Sequence, residues 1–327
     1  MAGTRKGTYK ITNWRSYNDS LVQRGSITFW FCEDTIEKWH HANAKPKVGH
    51  PFVYSDTAVE CLLLLRETFQ LPYRQTEGLG KSLVELMKIT LDIPDYSSLA
   101  KRAAKLGVSL DVRKHTGPID VVVDSTGLKV FGEGEWKMRK HGKTKRRTWR
   151  KLHLAVNPAT HEIEAETLTE NGCDDASQVD ALLDQVQGKI GGFYGDGAYD
   201  KWKVYETLGK RRIKAIVPPQ RNAKIKQHDN SSSHPLSRDV AIRAIRHRGR
   251  RRWKEDIGYH RRSLSETAMY RMKCCFGDHL KNRLIENQRT ETRLRSKILN
   301  KFTHLGLPKF MCNQLTWPIR SVERTWA

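Results

Sequence analysis

Apolar residues in the first third of the chain recur every three or four positions, which is the period of an amphipathic α-helix. The segment 56–70 follows a capping serine and carries a long apolar stripe. The segment 96–107 has apolar residues on one face and basic residues, among them Lys101 and Arg102, on the other. Residues 1–112 are therefore predicted to form a mainly helical domain. Its last two helices, which are predicted at 77–93 and 96–107 with a break at Pro94, are compatible with a DNA-binding helix-turn-helix, but helical packing alone gives the same pattern, and both interpretations stay open.

The pattern changes after residue 113, where short apolar runs and alternating positions are typical of β-strands. The run IDVVVDST, residues 119–126, has the unbroken apolar character of a central strand buried on both faces. The predicted order is strand-strand-strand-helix-strand-helix-strand-helix-helix. This order matches the ribonuclease-H-like arrangement, an α/β fold with a mixed five-stranded sheet and helices on both faces. Residues 113–327 are predicted to form this second domain.

A single helix is predicted for the stretch YHRRSLSETAMYRMK near the end of this order. Because each helical residue advances by roughly 100°, Tyr259, Arg262, Glu266 and Lys273 fall in one stripe roughly 60° wide. Apolar residues occupy the opposite side, as an amphipathic helix requires. The helix therefore presents one carboxylate among cations.

The net charge of the chain indicates the class of molecule that it binds. With 59 lysines and arginines against 36 acidic residues, the 327-residue chain has a net charge of +23 and a pI near 9.9. Such an excess favours binding to a polyanion, most often nucleic acid. No apolar run approaches the roughly 20 residues that span a bilayer, and the N-terminus lacks the apolar segment of a signal peptide. We expect no membrane association and a location in the cytoplasm.

The six cysteines form no C-x-x-C pair and no zinc-ligand spacing. In a reducing compartment such cysteines are typical buried or unreactive thiols. The sequence therefore predicts neither a zinc site nor disulfide bonds.

Three acidic residues stand at corresponding places in the predicted fold. Asp124 ends the first strand, Asp196 ends the fourth, and Glu266 lies on the helix after the fifth. An aspartate at a strand end often serves only to form a turn. Gly195 and Gly197, which flank Asp196, would however let the backbone approach a ligand closely. The three acids lie 72 and 70 residues apart in the sequence, so only the fold could bring their carboxylates together at one site.

Three carboxylates that meet need cations, because two like charges about 4 Å apart cost on the order of 4 kcal/mol at an effective dielectric constant of 20. Carboxylate oxygens select hard ions, Mg²⁺ first and Mn²⁺ as a substitute. Two such ions form the clamp used for in-line displacement at phosphorus, where one activates water or a 3′ hydroxyl and the other stabilises the leaving 3′ oxygen. The predicted cofactor is a pair of Mg²⁺ ions held by the three carboxylates.

The spacing Tyr259-x2-Arg262-x3-Glu266-x6-Lys273 resembles the Y-x2-R-x3-E-x6-K signature of bacterial insertion-sequence DDE transposases. DSTG, at the first aspartate, and GDGAYD, at the second, resemble the two aspartate motifs of the same proteins. The short gap between the second aspartate and the glutamate leaves no room for the large β-insertion of some relatives. With the N-terminal segment YNDSLVQRGSITFWF, this is similar to the family named after insertion sequence five.

This resemblance implies roles for the quoted residues. Asp124, Asp196 and Glu266 would be the catalytic, metal-binding triad. Tyr259, Arg262 and Lys273 would contact the DNA backbone near the scissile phosphate, which agrees with their place beside the glutamate on the helical stripe.

Two basic tracts flank the acidic residues in the sequence. Residues 137–151 contain nine lysines and arginines and no acid, and they include Arg146, Arg147 and Arg150; residues 243–254 form the second tract. A charge run is usually a solvated face. Because these tracts lie on both sides of an acidic triad, we expect them to follow DNA phosphates, with affinity that falls steeply with salt.

The leading functional hypothesis is a transposase. It would bind the terminal inverted repeats of its own element, cut to free the 3′ hydroxyls, and join them to target DNA. Because two ends must be processed together, we expect a homodimer or a larger assembly on double-stranded DNA. A ribonuclease-H-like nuclease or resolvase without strand transfer is the alternative on the same fold. A DNA-binding regulator with purely structural acids is a further alternative.

Overall fold

A mixed sheet of five strands forms the centre of the computed structural model, which describes residues 8–43, 51–130, 149–227 and 236–313. The strands of the protein, in chain order, are β1 Thr8–Ile11, β2 Ile119–Val130, β3 Trp149–Val156, β4 Ile163–Glu170, β5 Ile190–Tyr194, β6 Lys214–Ile216, β7 His279–Leu280 and β8 Phe310–Asn313.

The strand order in the sheet is β4-β3-β2-β5-β6. The pairs β2–β3 and β3–β4 are antiparallel, and the pairs β2–β5 and β5–β6 are parallel. The short β7 pairs in parallel with the end of β2 and adds a sixth strand there. The predicted mixed five-stranded sheet is confirmed, and the sequence prediction lacked only the two-residue β7.

Helices cover both faces of the sheet, as predicted. They are α1 Trp14–Gln23, α2 Ile27–Trp30, α3 Glu33–Glu37, α4 Asp56–Thr68, α5 Tyr73–Met87, α6 Tyr96–Ala103, α7 Val179–Leu183, α8 Trp202–Lys210, α9 Ser237–Arg248, α10 Arg250–Asp256, α11 Ser263–Phe276 and α12 Ile285–Leu305. None of the helices in the described parts of the chain combines the length and the apolar character needed to span a membrane.

One face of the sheet packs against α7 and α8. Val121 and Val123 of β2 point to this side, where they contact buried residues such as Leu182 and Leu208. Phe193 of β5 completes this core. The three consecutive valines of β2, 121–123, are explained by this packing, because the strand has buried side chains on both of its faces.

The other face of the sheet shares a core with the N-terminal helices. Leu152 and Leu154 of β3 lie in one apolar cluster with Met272 of α11, Leu62 of α4 and Leu99 of α6. All five side chains are buried. The predicted division of the chain near residue 112 stays a prediction, and the helices before it lie directly against the sheet.

A buried ionic network also joins α4 to α12. Arg295 is completely buried and donates to Glu67 at 3.1 Å and to Glu291 at 2.5 Å. Arg66 forms a further ion pair with Glu67. Glu291 also accepts hydrogen bonds from the backbone amides of Lys281 and Asn282. Because a buried charge is costly unless it is paired, this network holds α4, α12 and the segment after β7 together.

The connector before the predicted signature helix contains two helices that the sequence prediction missed. These are α9 and α10, which are separated by Gly249. Ile242 and Trp253 anchor them to the protein as buried residues. The first and the last described strands, β1 and β8, pair in a separate two-stranded antiparallel sheet.

Candidate active site

Asp124 and Asp196 lie side by side because they follow equivalent positions on neighbouring parallel strands. In the register of β2 and β5, Val122 pairs with Tyr194. Each aspartate comes two residues later, and adjacent strands lie about 4.8 Å apart. Asp124 is half-buried within β2, and Asp196 starts the turn that follows β5.

The Asp196 carboxylate is held by the turn that it begins. It accepts a hydrogen bond from the Ala198 backbone amide at 2.8 Å and caps the short 3-10 helix Gly197–Tyr199. A Cβ atom at Gly195 would lie 2.9 Å from the Tyr199 ring and 3.0 Å from the Phe193 ring. Gly195 is therefore needed for close packing against two aromatic rings, and the close approach of a ligand at this glycine stays a prediction.

The signature segment is not one helix, which corrects the sequence prediction. Gly258, with φ of 65° in the left-handed region, precedes a 3-10 turn, Tyr259–Arg262, and α11 begins only at Ser263. Tyr259 is turned toward the small apolar cluster around Val122 at the sheet. The helical stripe holds from Arg262 onward, and Glu266 lies in the first turn of α11 with an exposed side chain.

Arg262 joins two of the predicted metal ligands. One guanidinium nitrogen donates to Asp124 at 2.9 Å and the other donates to Glu266 at 2.7 Å. The Asp124 side chain is 15% exposed, and that of Glu266 is 58% exposed. Ser265, which is buried on the inner side of α11, also places its hydroxyl 3.3 Å from Asp124. The start of α11 is thus tied to the middle of β2.

Burial raises the pKa of Asp124 above its ordinary value. The hydrogen bond from the Ser125 amide and the charge of Arg262 oppose this shift, and the charge of Asp196 adds to it. The pKa of Tyr259 is also raised, first by burial and then by the three carboxylates, while Arg262 opposes the rise. The electrostatic influence of all three acids on one phenol agrees with their arrangement around a common region.

The donor chemistry of these residues fits a hard divalent ion, because all three side chains offer carboxylate oxygens. Across residues 8–43, 51–130, 149–227 and 236–313, no three His, Cys, Asp or Glu side chains are grouped so that they could hold one ion together. The Arg262 guanidinium instead lies between Asp124 and Glu266. Coordination of an ion by both would require Arg262 to release at least one of them.

One further signature cation and one unpredicted lysine lie on the helices next to this region. Lys273 is half-buried on α11, seven residues or about two turns beyond Glu266. Lys254 of α10, which the sequence analysis did not single out, has its ammonium nitrogen 4.8 Å from the centre of the Tyr259 ring. The α10 helix therefore continues the basic surface beside the turn that carries Tyr259 and Arg262.

The remaining predicted DNA contacts are dispersed. Lys101 is exposed on α6, whereas Arg102 donates to the Tyr54 carbonyl at 3.0 Å and forms an ion pair with Asp56. Arg150 of β3 donates to a glutamine of α12 at 3.0 Å. The predicted contacts Arg146 and Arg147 lie outside the described residues. A role in DNA binding stays a prediction for each of these side chains.

The second aspartate of GDGAYD has a structural role that sequence reasoning missed. Asp200 is buried and accepts two hydrogen bonds from Arg238 of α9, at 2.7 and 2.9 Å, and one from the Gln220 amide at 2.8 Å. Arg238 in turn packs over the Trp202 ring. The sequence offered no local signal for this role, because the partners of Asp200 lie 20 and 38 positions away in the chain.

Comparison with known protein families assigns the chain. Two family profiles, both described as transposase DDE domain, match it, one over residues 22–133 and the other over residues 115–300. The second match covers more than half of the chain and contains Asp124, Asp196 and Glu266. Enzymes with this domain catalyse phosphoryl transfer on DNA and generally depend on metal ions. The chain therefore belongs to the DDE transposases of the insertion sequence four and five type, and it is a DNA-binding enzyme of DNA transposition.

Proposed function

We propose that this transposase binds the terminal inverted repeats of its own insertion sequence, cleaves the DNA at their ends and joins the freed 3′ hydroxyls to target DNA. The observation that carries the proposal is the meeting of Asp124 and Asp196 at one level of the sheet, with Glu266 linked to Asp124 through Arg262. Such a cluster is costly without cations. Arg262 supplies one cation to Asp124 and Glu266, and metal ions would supply the further charge that phosphoryl transfer uses.

The residues that would hold Mg²⁺ or Mn²⁺ are Asp124, Asp196 and Glu266. When bound there, such ions supply charge neutralisation at the reacting phosphate and lower the pKa of a bound water. The chain's own contribution is to fix the three carboxylates on β2, on the turn after β5 and on α11. Because the nucleophile is a water or a 3′ hydroxyl, no protein side chain has to form a covalent bond to DNA.

The cations beside the carboxylates would hold the substrate. Arg262 has a planar fork that suits either a carboxylate or a phosphate. We infer that it exchanges the carboxylates for a DNA phosphate when the substrate binds. Tyr259 and Lys273 would hold neighbouring phosphates, and Lys254 would extend this contact along α10. Contacts to phosphates position the DNA without reading its sequence.

Sequence recognition would then come from residues 1–112, where α6 exposes Lys101. Catalysis would come from residues 113–327. Both ends of the element must be cut and joined in a coordinated way, so the active species would be a homodimer or a larger assembly on DNA. The basic tracts at 137–151 and 243–254 would follow DNA phosphates away from the cleaved bond.

The experiment uses the full chain with duplexes that carry the inverted repeats flanking its gene, in Mg²⁺ or Mn²⁺. Asp124→Asn and Glu266→Gln are compared with wild type and with Asp184→Asn, which removes an acid from an exposed surface pair with Arg211. We expect nicking at the repeat boundary and joining to a target plasmid from wild type and Asp184→Asn. Both activities should be lost in the two site variants.

Each other outcome has a defined meaning. Cleavage at the boundary without joining, under conditions that support both steps in a known transposase, would assign a nuclease instead. Activity that survives in Asp124→Asn and Glu266→Gln would overturn the assigned triad. Specific binding of the repeats without cleavage in either metal would overturn the proposed end processing.

A further inference from the structure

Two consecutive arginines of the 3-10 turn Tyr259–Arg262 contact two aspartates of β2. Arg261 donates to Asp120 at 2.7 Å, and Arg262 donates to Asp124 at 2.9 Å. Residues four apart on a strand share a face and lie about 13 Å from each other. The turn therefore lies along β2 and is attached to it at two levels.

The Asp120 carboxylate lies directly against Gly192, which has no side chain to displace it. A Cβ atom at Gly192 of β5 would lie only 2.6 Å from one oxygen of Asp120, so any larger residue there would push the carboxylate aside. On the Arg261 side, the Tyr194 hydroxyl lies 3.5 Å from the same guanidinium nitrogen that contacts Asp120. The guanidinium carbon lies 5.8 Å from the centre of the Tyr194 ring. Three residues from two strands thus fix where Arg261 is held.

On the proposed function, only one of these two ion pairs would persist when substrate and metal bind. Asp124 would then coordinate metal and Arg262 would bind phosphate, so their mutual contact would be given up. Asp120 and Arg261 have no such competing role in that function. Since α11 begins directly after the turn, the contact that remains sets the position of Glu266.

We propose that Asp120 and Arg261 are a positioning pair, which keeps the turn Tyr259–Arg262, and through it Glu266, in register with β2 while Asp124 and Arg262 exchange each other for metal and DNA. This inference rests on the proposed function. The pair touches neither substrate nor metal and acts through the residues that do.

The partial exposure of the Asp120–Arg261 pair predicts a larger effect on the reaction rate than on the stability of the fold. The side chains of Arg261 and Asp120 are 37% and 30% exposed, and an ion pair that is partly open to solvent contributes about 1 kcal/mol or less to folding. Misplacement of a reacting group by about 1 Å, in contrast, lowers a rate by roughly 100-fold. Loss of the pair should therefore leave the fold intact and reduce the rate of the chemical step.

The test compares Asp120→Asn, Arg261→Gln and the conservative Arg261→Lys, with Arg211→Gln as a control that loses a remote surface arginine. Four quantities are measured on the full chain: the unfolding midpoint, the Kd for repeat DNA, Mn²⁺ affinity of the DNA complex, and the single-turnover cleavage rate. We expect cleavage to fall roughly 10- to 100-fold in the first two variants, with the Kd within roughly threefold of wild type. Arg261→Lys should recover part of the rate, and the control should behave as wild type.

Gly192→Ala reaches the same pair without removing a charge, since the added methyl group would displace the Asp120 carboxylate. It should give the same pattern of slow cleavage with nearly normal DNA affinity. The inference is overturned if rates are unchanged, or if rate and DNA affinity fall together in proportion to a loss of folded protein. If wild type itself does not cleave, the proposed function fails first. Mn²⁺ affinity of the DNA complex still decides the pair, since an unchanged affinity in Asp120→Asn overturns it.

Discussion

Replacement of Arg262 by glutamine should tighten metal binding to the DNA-free protein while it weakens DNA cleavage. In the free protein the Arg262 guanidinium occupies the carboxylates that a metal ion would use. Glutamine removes the positive charge and keeps a polar side chain of similar length. Metal affinity and activity should therefore change in opposite directions, which a general loss of folding cannot produce.

The size of the effect follows from the exposure of the two contacts. A hydrogen bond to a charged group contributes about 1.5–3 kcal/mol when it is buried, and the contact to Asp124 is largely buried. The contact to Glu266 is mostly exposed and contributes about 0–1 kcal/mol. We take about 2 kcal/mol as the free energy of the Arg262 contacts that a metal ion must displace, which corresponds to roughly 30-fold in metal affinity.

Titration of Mn²⁺ into DNA-free protein measures this directly, by calorimetry or by the electron paramagnetic resonance signal of the free ion. Arg211→Gln controls for the loss of one positive charge, because Arg211 pairs with Asp184 on a distant surface. Asp124→Asn in the Arg262→Gln background should abolish the gain. If Arg262→Gln binds Mn²⁺ no more tightly than Arg211→Gln, Arg262 does not compete with metal and the reasoning fails.

Further predictions concern stability. Arg295→Met should lower the free energy of unfolding by about 3–5 kcal/mol in urea denaturation, because it removes the arginine that two buried glutamates share and leaves Glu67 with Arg66 and Glu291 with backbone amides; a loss under about 1 kcal/mol would contradict this. Gly195→Ala should cost about 1–3 kcal/mol through overpacking against two aromatic rings and should weaken Mn²⁺ binding, and normal values of both would refute the close contact. Burial lowers the pKa of His153 to about 4, so the unfolded state takes up its proton first and stability is lost as pH falls from about 6.5 to 4. Burial raises the pKa of Glu166 to about 7, so its effect has the opposite sign and stability is lost as pH rises from about 4.5 to 7. His153→Gln should thus reduce the slope of unfolding free energy against pH between 4.5 and 6.5, and Glu166→Gln should increase it; slopes that change in the same direction would refute both assignments.

The sheet was predictable from the sequence because its strands have strong local signals. The three valines directly before Asp124 are apolar and buried, and such a strand has to be covered on both faces. The parallel pairing that sets Asp124 beside Asp196 follows from the order of strands and helices. The helix α4 was equally clear, since Ser55 caps it through a hydrogen bond from the Ala58 amide.

Features that depend on contacts between distant residues were not predictable. The helices α9 and α10 have few buried apolar residues among many arginines, so their periodicity is hidden. The break at Gly258 was missed because local spacing alone favours one continuous helix. Local spacing did place Arg262 beside Glu266. Its second contact, to Asp124 in a strand 138 positions earlier, arises only when the chain folds.

The packing of the N-terminal helices on the sheet fixes the distance between these helices and the carboxylates of the sheet. Withdrawal of α4 or α6 would expose Leu62 and Leu99 together with the sheet residue Leu152, so these helices cannot swing on a linker. If α6 reads the repeat, the distance from the bases it reads to the cleaved bond is set by the core. One inserted base pair turns the duplex by about 35° and shifts it by about 3.4 Å. The enzyme would then measure its DNA end as well as read it, and an end with the right sequence at the wrong distance would be left uncut.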